Sequence, residues 1–289
     1  MLKINNNEIK LVVCDVDGTL ISKQKPWLSK EMKLAIEELK KRNVYFVIDT
    51  GNASCLMDYL TNDYGAANNE YTRYYIGTNG ADVRDFIENK SHVVDSFTVE
   101  ETKKIIDFLT DRKMKFIISS PDSRQSYFID IDELKESKAE RFITRDDLFL
   151  IYKPEYMKNK STSQFTLNNV ESHKEDIKDL QKLIGDKMHI TWWDEFSIDL
   201  IVKGNDKFAG LSHLIKVLNK TNKTNITTDN VIYFGDQHND LPVFKNIKYS
   251  IAMGNAIDEI KELAYEITDN VNENGVPNYL NRLMKIDKI

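Results

Sequence analysis

The feature that most constrains the fold is a change of character at residue 15, where the apolar run Leu11 to Cys14 passes directly into Asp15-Val16-Asp17-Gly18-Thr19-Leu20. A short apolar run closed by turn residues reads as a buried strand. In open α/β sheets ligands bind outside the carboxyl ends of such strands. Asp15 and Asp17 then project from one rim into that crevice. Two carboxylates so close repel each other unless a cation or proton intervenes, which points to a divalent metal with oxygen ligands, Mg²⁺ foremost. Asp-x-Asp-Gly also occurs in ordinary turns and in calcium loops. Ile21, Lys23 and Pro26 stand where a calcium loop needs further oxygen ligands, so the strand-end reading is kept.

Further strand ends carry comparable chemistry. Val44 to Ile48 is β-branched and aromatic and runs into Asp49-Thr50-Gly51-Asn52, a turn whose hydroxyl and N–H groups can grip a phosphate oxygen or simply cap a helix. Val231 to Phe234 leads into Gly235-Asp236-Gln237-His238-Asn239-Asp240, which adds a third carboxylate to the rim. Lys203-Gly204-Asn205-Asp206-Lys207 precedes Phe208, Leu211, Leu214, Ile215 and Leu218, spaced as the apolar face of a helix. A lysine at a helix start opposes the macrodipole. Lys207 is therefore better explained as reaching inward to an anion than as a solvated charge.

Together these residues resemble the haloacid dehalogenase superfamily, and within it the Cof-like sugar-phosphatase group with a type IIB cap. Asp15 to Leu20 is similar to its first motif, Thr50-Gly51 to its second, Lys207 to its third, and Gly235-Asp236 with Asn239-Asp240 to its fourth. The likeness extends to Gly77-Thr78-Asn79-Gly80-Ala81, Ala252-Met253-Gly254-Asn255-Ala256 and Asn274-Gly275-Val276, leaving only the middle of the chain weakly matched.

The resemblance implies that Asp15 is a carboxylate nucleophile forming an aspartyl-phosphate, and that Asp17 is the general acid and then the base. It implies Mg²⁺ held by Asp15, Asp236 and the backbone carbonyl of Asp17. Thr50, Gly51, Lys207, Asn239 and the N–H of Val16 would cradle the phosphate oxygens, with Asp240 in support. Two departures bear on substrate and metal. Asn52 stands where many relatives carry Arg, and Gln237-His238 replaces a commoner glycine after the fourth-motif aspartate. His238 reads as a solvated or capping group, since Asp17 fills the acid/base role.

At 289 residues the chain is long enough for one or two domains with sizeable cores, and its 41% hydrophobic and 30% charged content is that of a globular protein. No apolar stretch approaches the roughly 18 to 20 residues of a membrane span, and the first residues lack a signal peptide's apolar region. A cytoplasmic location without membrane association is expected. Cys14 and Cys55 do not suggest a disulfide framework, and Cys14 reads as buried filler. With net charge −6 and scattered basic residues, no nucleic-acid face is indicated.

The order of patterns predicts an α/β fold: a doubly wound, Rossmann-like parallel-sheet core interrupted by an α+β cap. Residues 1–82 and 200–289 are assigned to the core and 83–199 to the insertion. Ser29 is expected to cap a helix with Met32, Ala35, Ile36 and Leu39 on its apolar face, and a strand is expected over Arg73 to Thr78. In the insertion, strands are expected over Lys115 to Ser120, Gln125 to Asp130, Gln164 to Asn168, His189 to Trp193 and Phe196 to Val202. Thr98 with Glu101 and Ser172 with Glu175 fit capping boxes. Of Trp192 and Trp193, adjacent in a strand, at most one can face the site. Glu133 to Arg145 reads as a solvated helix or loop.

The resulting expectation is a Mg²⁺-dependent hydrolase of small phosphate monoesters, sugar phosphates or related metabolites. Its alternatives are a phosphomutase or phosphotransferase, or a non-catalytic sensor of a phosphorylated metabolite. Substrate identity and oligomeric state stay open.

Overall fold

The computed structural model describes residues 2–120, 122, 124–140, 145–192 and 196–285. Its larger sheet has eight strands in the order Glu266–Ile267, Tyr249–Ala252, Val231–Gly235, Leu11–Cys14, Tyr45–Asp49, Tyr74–Gly77, Asp82–Asp85 and Lys90–Val93. The first six run parallel and the last two are added antiparallel. Leu11–Cys14, the first of the parallel strands in sequence, lies mid-sheet. Later strands build outward on both sides of it, which creates the crevice where ligands bind in such folds. Its residues are all buried, as a strand covered on both faces requires. The register pairs Cys14 with both Phe234 and Ile48, so three strand ends stop level with one another.

Helix Lys30–Lys41 forms where expected, with the Ser29 side chain accepting from the Met32 N–H and Met32, Ala35, Ile36 and Leu39 buried. Helix Lys207–Thr221 packs on Tyr74–Gly77 and on the turn Thr78–Gly80. Glycine makes that approach possible. Gly80 has φ +84°, and a Cβ there would stand 1.9 Å from the Asp206 carbonyl oxygen. The first turn of the helix is thereby brought against the turn that carries Asn79.

A separate cap sheet has six strands in the order Phe149–Ile151, Ser126–Phe128, Ile117–Ser119, Gln164–Leu167, Ile198–Val202 and Met188–Trp192. Alternation divides its faces. Phe165, Leu167, Ile198, Leu200 and Val202 form a core with Ile105, Leu109, Ile177 and Leu180 from helices Val99–Asp111 and Lys174–Ile184. On the other face Ile117, Phe128 and Phe149 pack with Ala53 and Cys55 of the larger unit, joining the two sheets through apolar contact.

Sheet membership moves the crossings away from residues 82 and 200. The hairpin Asp82–Asp85 with Lys90–Val93 continues the larger sheet, and Ile198–Val202 pairs within the cap sheet along its whole length. The Thr98–Glu101 capping box is present. The Ser172–Glu175 box is not: Ser172 lies within a 3₁₀ turn, and the helix starts at Lys174 behind His173, which provides no side-chain cap. Trp192 is 45% exposed, and Trp193 lies outside the described residues. From the charged run, Ile131–Glu140 is helical, 141–144 lie outside the described residues, and Arg145 pairs with Asp147. Among the described residues no helix is long and apolar enough to cross a membrane.

Candidate active site

The three level strand ends bring Asp15, Thr50 and Asp236 to one rim, and helix Lys207–Thr221 adds its first residue. Lys207 is fully buried, and its Nζ donates to Asp15 Oδ1 and to Asp240 Oδ1, each at 2.6 Å. Burial alone would lower the ammonium pKa. The charges of Asp15 and Asp240, with Asp49 beyond them, outweigh burial and raise it.

Asp240 has no accepting capacity to spare. Its Oδ1 also accepts from Tyr233 Oη at 2.7 Å, and its Oδ2 accepts from the backbone N–H groups of Asp236 and Gln237 at 2.9 and 3.0 Å. A carboxylate offers about four lone-pair positions, so Asp240 is occupied in fixing Lys207 and the loop. Oxygen atoms of Asp15, Asp236 and Asp240 lie within 4.8 Å of one another, a grouping that could hold a metal ion. The hydrogen bonds leave Asp15 and Asp236 as its available ligands, and the Asp17 side chain is not in the group.

The donor set fits a hard divalent cation. All its atoms are oxygens, and the buried carboxylates outnumber the single ammonium. Burial pushes the Asp15 carboxyl well above the usual range; Lys207 pulls it down, while Asp240 and Asp236 push it further up. Asp236 is pushed up to about 7, by burial first and then by Asp240, against the hydrogen bond from Thr19 Oγ1 at 2.9 Å. The Asp15–Leu20 loop closes over Asp236: Gly18 has φ +86°, and a Cβ there would stand 2.3 Å from Asp236 Oδ2. Asn255 Nδ2 donates to the Gly18 carbonyl at 2.8 Å and to Asp236 Oδ2 at 3.3 Å, tying loop and carboxylate together.

Asp17 is exposed toward solvent, and Asn52 Nδ2 donates to its Oδ2 at 3.1 Å and to Thr50 Oγ1 at 3.3 Å. Thus Asn52 holds Asp17 and Thr50 in place. Gly51 lies against the Asn79 side chain, which a Cβ on Gly51 would meet at 3.1 Å. Asn79 has φ +50° and bridges the sheets: its Nδ2 donates to Asp199 Oδ2 at 3.0 Å and to Gln164 Oε1 at 3.2 Å, while its Oδ1 accepts from Asn239 Nδ2 at 3.5 Å. Gln164 Nε2 in turn donates to the Gly51 carbonyl at 3.0 Å. Val16 is buried beside Asp15, Asn239 is half-buried, and His238 is exposed with its Nδ1 4.0 Å from Glu259.

Sequence reasoning brought forward Asp15, Asp17, Thr50, Gly51, Lys207, Asp236, Asn239 and Asp240, and all lie at this rim. It gave no role to Thr19, Asn79, Asn255, Gln164 and Asp199, although the first three sit within segments it singled out. In the sequence Asp49 reads as a turn residue beside Thr50-Gly51. It is fully buried, and neither oxygen has a hydrogen-bond partner among the described residues. Burial pushes its carboxyl well above the usual range, with Lys207 opposing.

The family model of haloacid dehalogenase-like hydrolases matches residues 12–280. The 5-amino-6-(5-phospho-D-ribitylamino)uracil phosphatase of Bacillus subtilis is 26% identical over 270 residues, covering 93% of each chain. An Escherichia coli phosphatase of the same name is 25% identical over 283 residues, covering 96% of this chain and 97% of that one. Among solved structures, a haloacid dehalogenase-like hydrolase from Bacteroides thetaiotaomicron superposes with a TM-score of 0.80 at 18% identity, covering 96% of this chain and all of the other. A sugar phosphatase of subclass IIB superposes with a TM-score of 0.74 at 21% identity, with the same coverage. These two likenesses are of fold: a mainly parallel core sheet with a separate cap sheet. The chain belongs to the haloacid dehalogenase-like hydrolases.

Proposed function

We propose, from that family membership, that this phosphatase hydrolyses phosphate monoesters of small polyol or sugar-like metabolites through an aspartyl-phosphate on Asp15. The observation that carries the reading is Lys207, fully buried and bonded at 2.6 Å to Asp15 on the strand end beside Asp17. With Oδ1 bound to Lys207, Asp15 presents its other oxygen to phosphorus. As the new P–O bond forms, the bond to the leaving alcohol breaks and Asp17 gives that alcohol its proton. In the second step water attacks phosphorus, Asp17 takes the proton, and cleavage of the acyl phosphate frees Asp15. Asn52 orients Asp17 for both transfers.

Thr50, the N–H groups of Gly51 and Val16, Lys207 and Asn239 cradle the phosphoryl oxygens, because positioning and charge neutralisation dominate phosphoryl transfer. Mg²⁺, held by Asp15, Asp236 and the Asp17 backbone carbonyl, would supply further neutralisation of the transferring group. Asp240 supports the site by fixing Lys207. In the same reading the cap segment roofs the rim and selects the leaving group. The phosphatases similar to this chain are named for a phosphoribityl-aminouracil and for sugar phosphates, which supports an alcohol of that kind.

Phosphate release from a panel of monoesters, with Mg²⁺ or with chelator, for wild type and Asp15→Asn, tests the reading. Metal-dependent release that is lost in the variant is expected. Release unaffected by Asp15→Asn would refute the nucleophile. Phosphate recovered on an added alcohol instead of in water would turn the assignment to a phosphotransferase.

A further inference from the structure

Beside the rim, on its Lys207 and Asn239 side, lies a cavity of about 510 Å³. Lys207, Asn79 and Asn239 line it, so it opens directly onto the phosphate cradle, and its size suits the leaving part of a small metabolite. The cap contributes His189 and Thr191, on the core-facing side of the edge strand Met188–Trp192. The core contributes Lys203, His238 and Lys245.

The charge of this chamber is opposite to that of the chain. The protein carries −6 overall, yet Asp206 is the one carboxylate among the lining residues, and its Oδ1 is engaged in capping helix Lys207–Thr221 through the Ala209 N–H at 2.7 Å. Lys203 and Lys245 are exposed, and neither has an ion pair among the described residues. Two ammonium groups without an ion pair thus line the cavity with two imidazoles, of which His238 lies 4.0 Å from Glu259, beside the proposed phosphate cradle. Neutral hydroxyls do not call for that arrangement, whereas a carboxylate or second phosphate does.

We infer that this chamber binds a second anionic group on the leaving part of the substrate, through Lys203 and Lys245. The inference rests on the phosphatase reading above and narrows its substrate class to phosphate monoesters of acids or to bisphosphates.

Two matched pairs test it: 6-phosphogluconate against sorbitol 6-phosphate, which differ in one terminal carboxylate, and glucose 1,6-bisphosphate against glucose 6-phosphate. In Mg²⁺ at low ionic strength, kcat/KM is expected to favour the doubly anionic member of at least one pair by about tenfold or more, and added salt should erode the preference. The pair showing the larger ratio tells carboxylate from phosphate. In Lys203→Gln/Lys245→Gln, whose side chains are exposed and without an ion pair among the described residues, the ratio should fall to near one. Ratios near one in the wild type, or ratios unchanged in the double variant, would overturn the inference while leaving the phosphatase reading intact. Calorimetry on Asp15→Asn separates the two readings. Tighter binding of the doubly anionic esters, lost when the lysines are also replaced, supports the chamber even if the wild type releases no phosphate; equal affinities or no binding overturn it.

Discussion

The catalytic rim and the cap face above it are both lined with polar side chains, but different forces hold them. At the rim one buried ammonium is bonded to two carboxylates, Asp15 at the end of a fully buried strand and Asp240 in the turn His238–Asp240 that follows another. On the cap, the core-facing side of the sheet is apolar at Ile117, Phe128 and Phe149, which pack with Ala53 and Cys55, and polar at Gln164, Thr166 and Asp199. The rim is fixed by charge and backbone geometry, while the cap is anchored by apolar burial and touches the site through neutral hydrogen bonds and a single carboxylate. Chemistry that must not move sits on the first arrangement. In the reading proposed above, selection among leaving groups is shared between the second and Lys203 and Lys245 of the core.

The sharpest way to break this contrast is at the rim. Asp15→Asn should lower phosphate release by about 10⁴-fold or more, the scale of losing a covalent nucleophile. Its melting temperature should stay near that of the wild type, because Lys207 keeps Asp240 as its counter-charge while the repulsion of Asp15 by Asp240 and Asp236 is relieved. Lys207→Met should be the most damaging to stability, by about 3–5 kcal/mol in urea unfolding, since it strands Asp15 and Asp240 without their counter-charge. A loss below about 1 kcal/mol would mean that Asp15 and Asp240 take up protons once the ammonium is gone.

The corresponding test of the cap is apolar. Phe149 is 2% exposed in the cluster that joins the sheets, so Phe149→Ala should cost about 3 kcal/mol. It should also raise KM more than it lowers kcat, because the roof loosens while the rim does not. A fall in kcat with KM unchanged would place the cap contact within the catalytic machinery.

Asp199 offers a finer distinction, through pH. Its carboxyl is pushed up to about 7 by burial, against hydrogen bonds from Thr166 and Asn79. An unfolded aspartate titrates near 4, so between roughly pH 4 and pH 7 the folded state holds a proton that the unfolded state has lost. Stability from this residue is therefore fully present below pH 4 and is lost as pH rises through 7. Asp199→Asn keeps an acceptor for Asn79 and can donate to the Thr166 hydroxyl. It should gain on the wild type by about 1–3 kcal/mol at pH 8 and by little at pH 4.5, read from melting curves. An equal difference at both pH values would show that the carboxyl titrates normally.

The same contrast explains what the sequence made legible. The rim is encoded locally: Asp15 to Leu20, Thr50-Gly51 and Asp236 to Asp240 are each short, and each follows an apolar run that announces a strand end. The cap face is encoded by partners far apart, and Asn79 with Asp199, 120 residues away, leaves no trace in either segment alone. Gln164, Thr166 and Asp199 alternate with apolar residues, a pattern equally expected of a sheet face turned to water. For the same reason the hairpin at Asp82–Val93 read as the beginning of the insertion, since only its pairing with Tyr74–Gly77 assigns it to the larger sheet. Asp49 was missed because a carboxylate beside Thr50-Gly51 looks like turn chemistry, whereas the chain stays extended and buries it.

Asn52 stands where the two regions meet, and it carries the smallest of these effects. Its side chain holds Asp17 at the rim, its carbonyl accepts from Tyr75 Oη at 2.8 Å, and the next residue, Ala53, is buried in the cluster shared with the cap. Asn52→Ala keeps the backbone contacts and removes the amide donor. One neutral-to-charged hydrogen bond lost at a half-exposed position is worth about 1 kcal/mol, which predicts a fall in kcat of about fivefold. The melting temperature should hardly move. If KM rose and kcat held, Asn52 would be contacting substrate directly. A fall in kcat alone would mean that it acts through Asp17, and that this chain aligns its acid with a neutral amide.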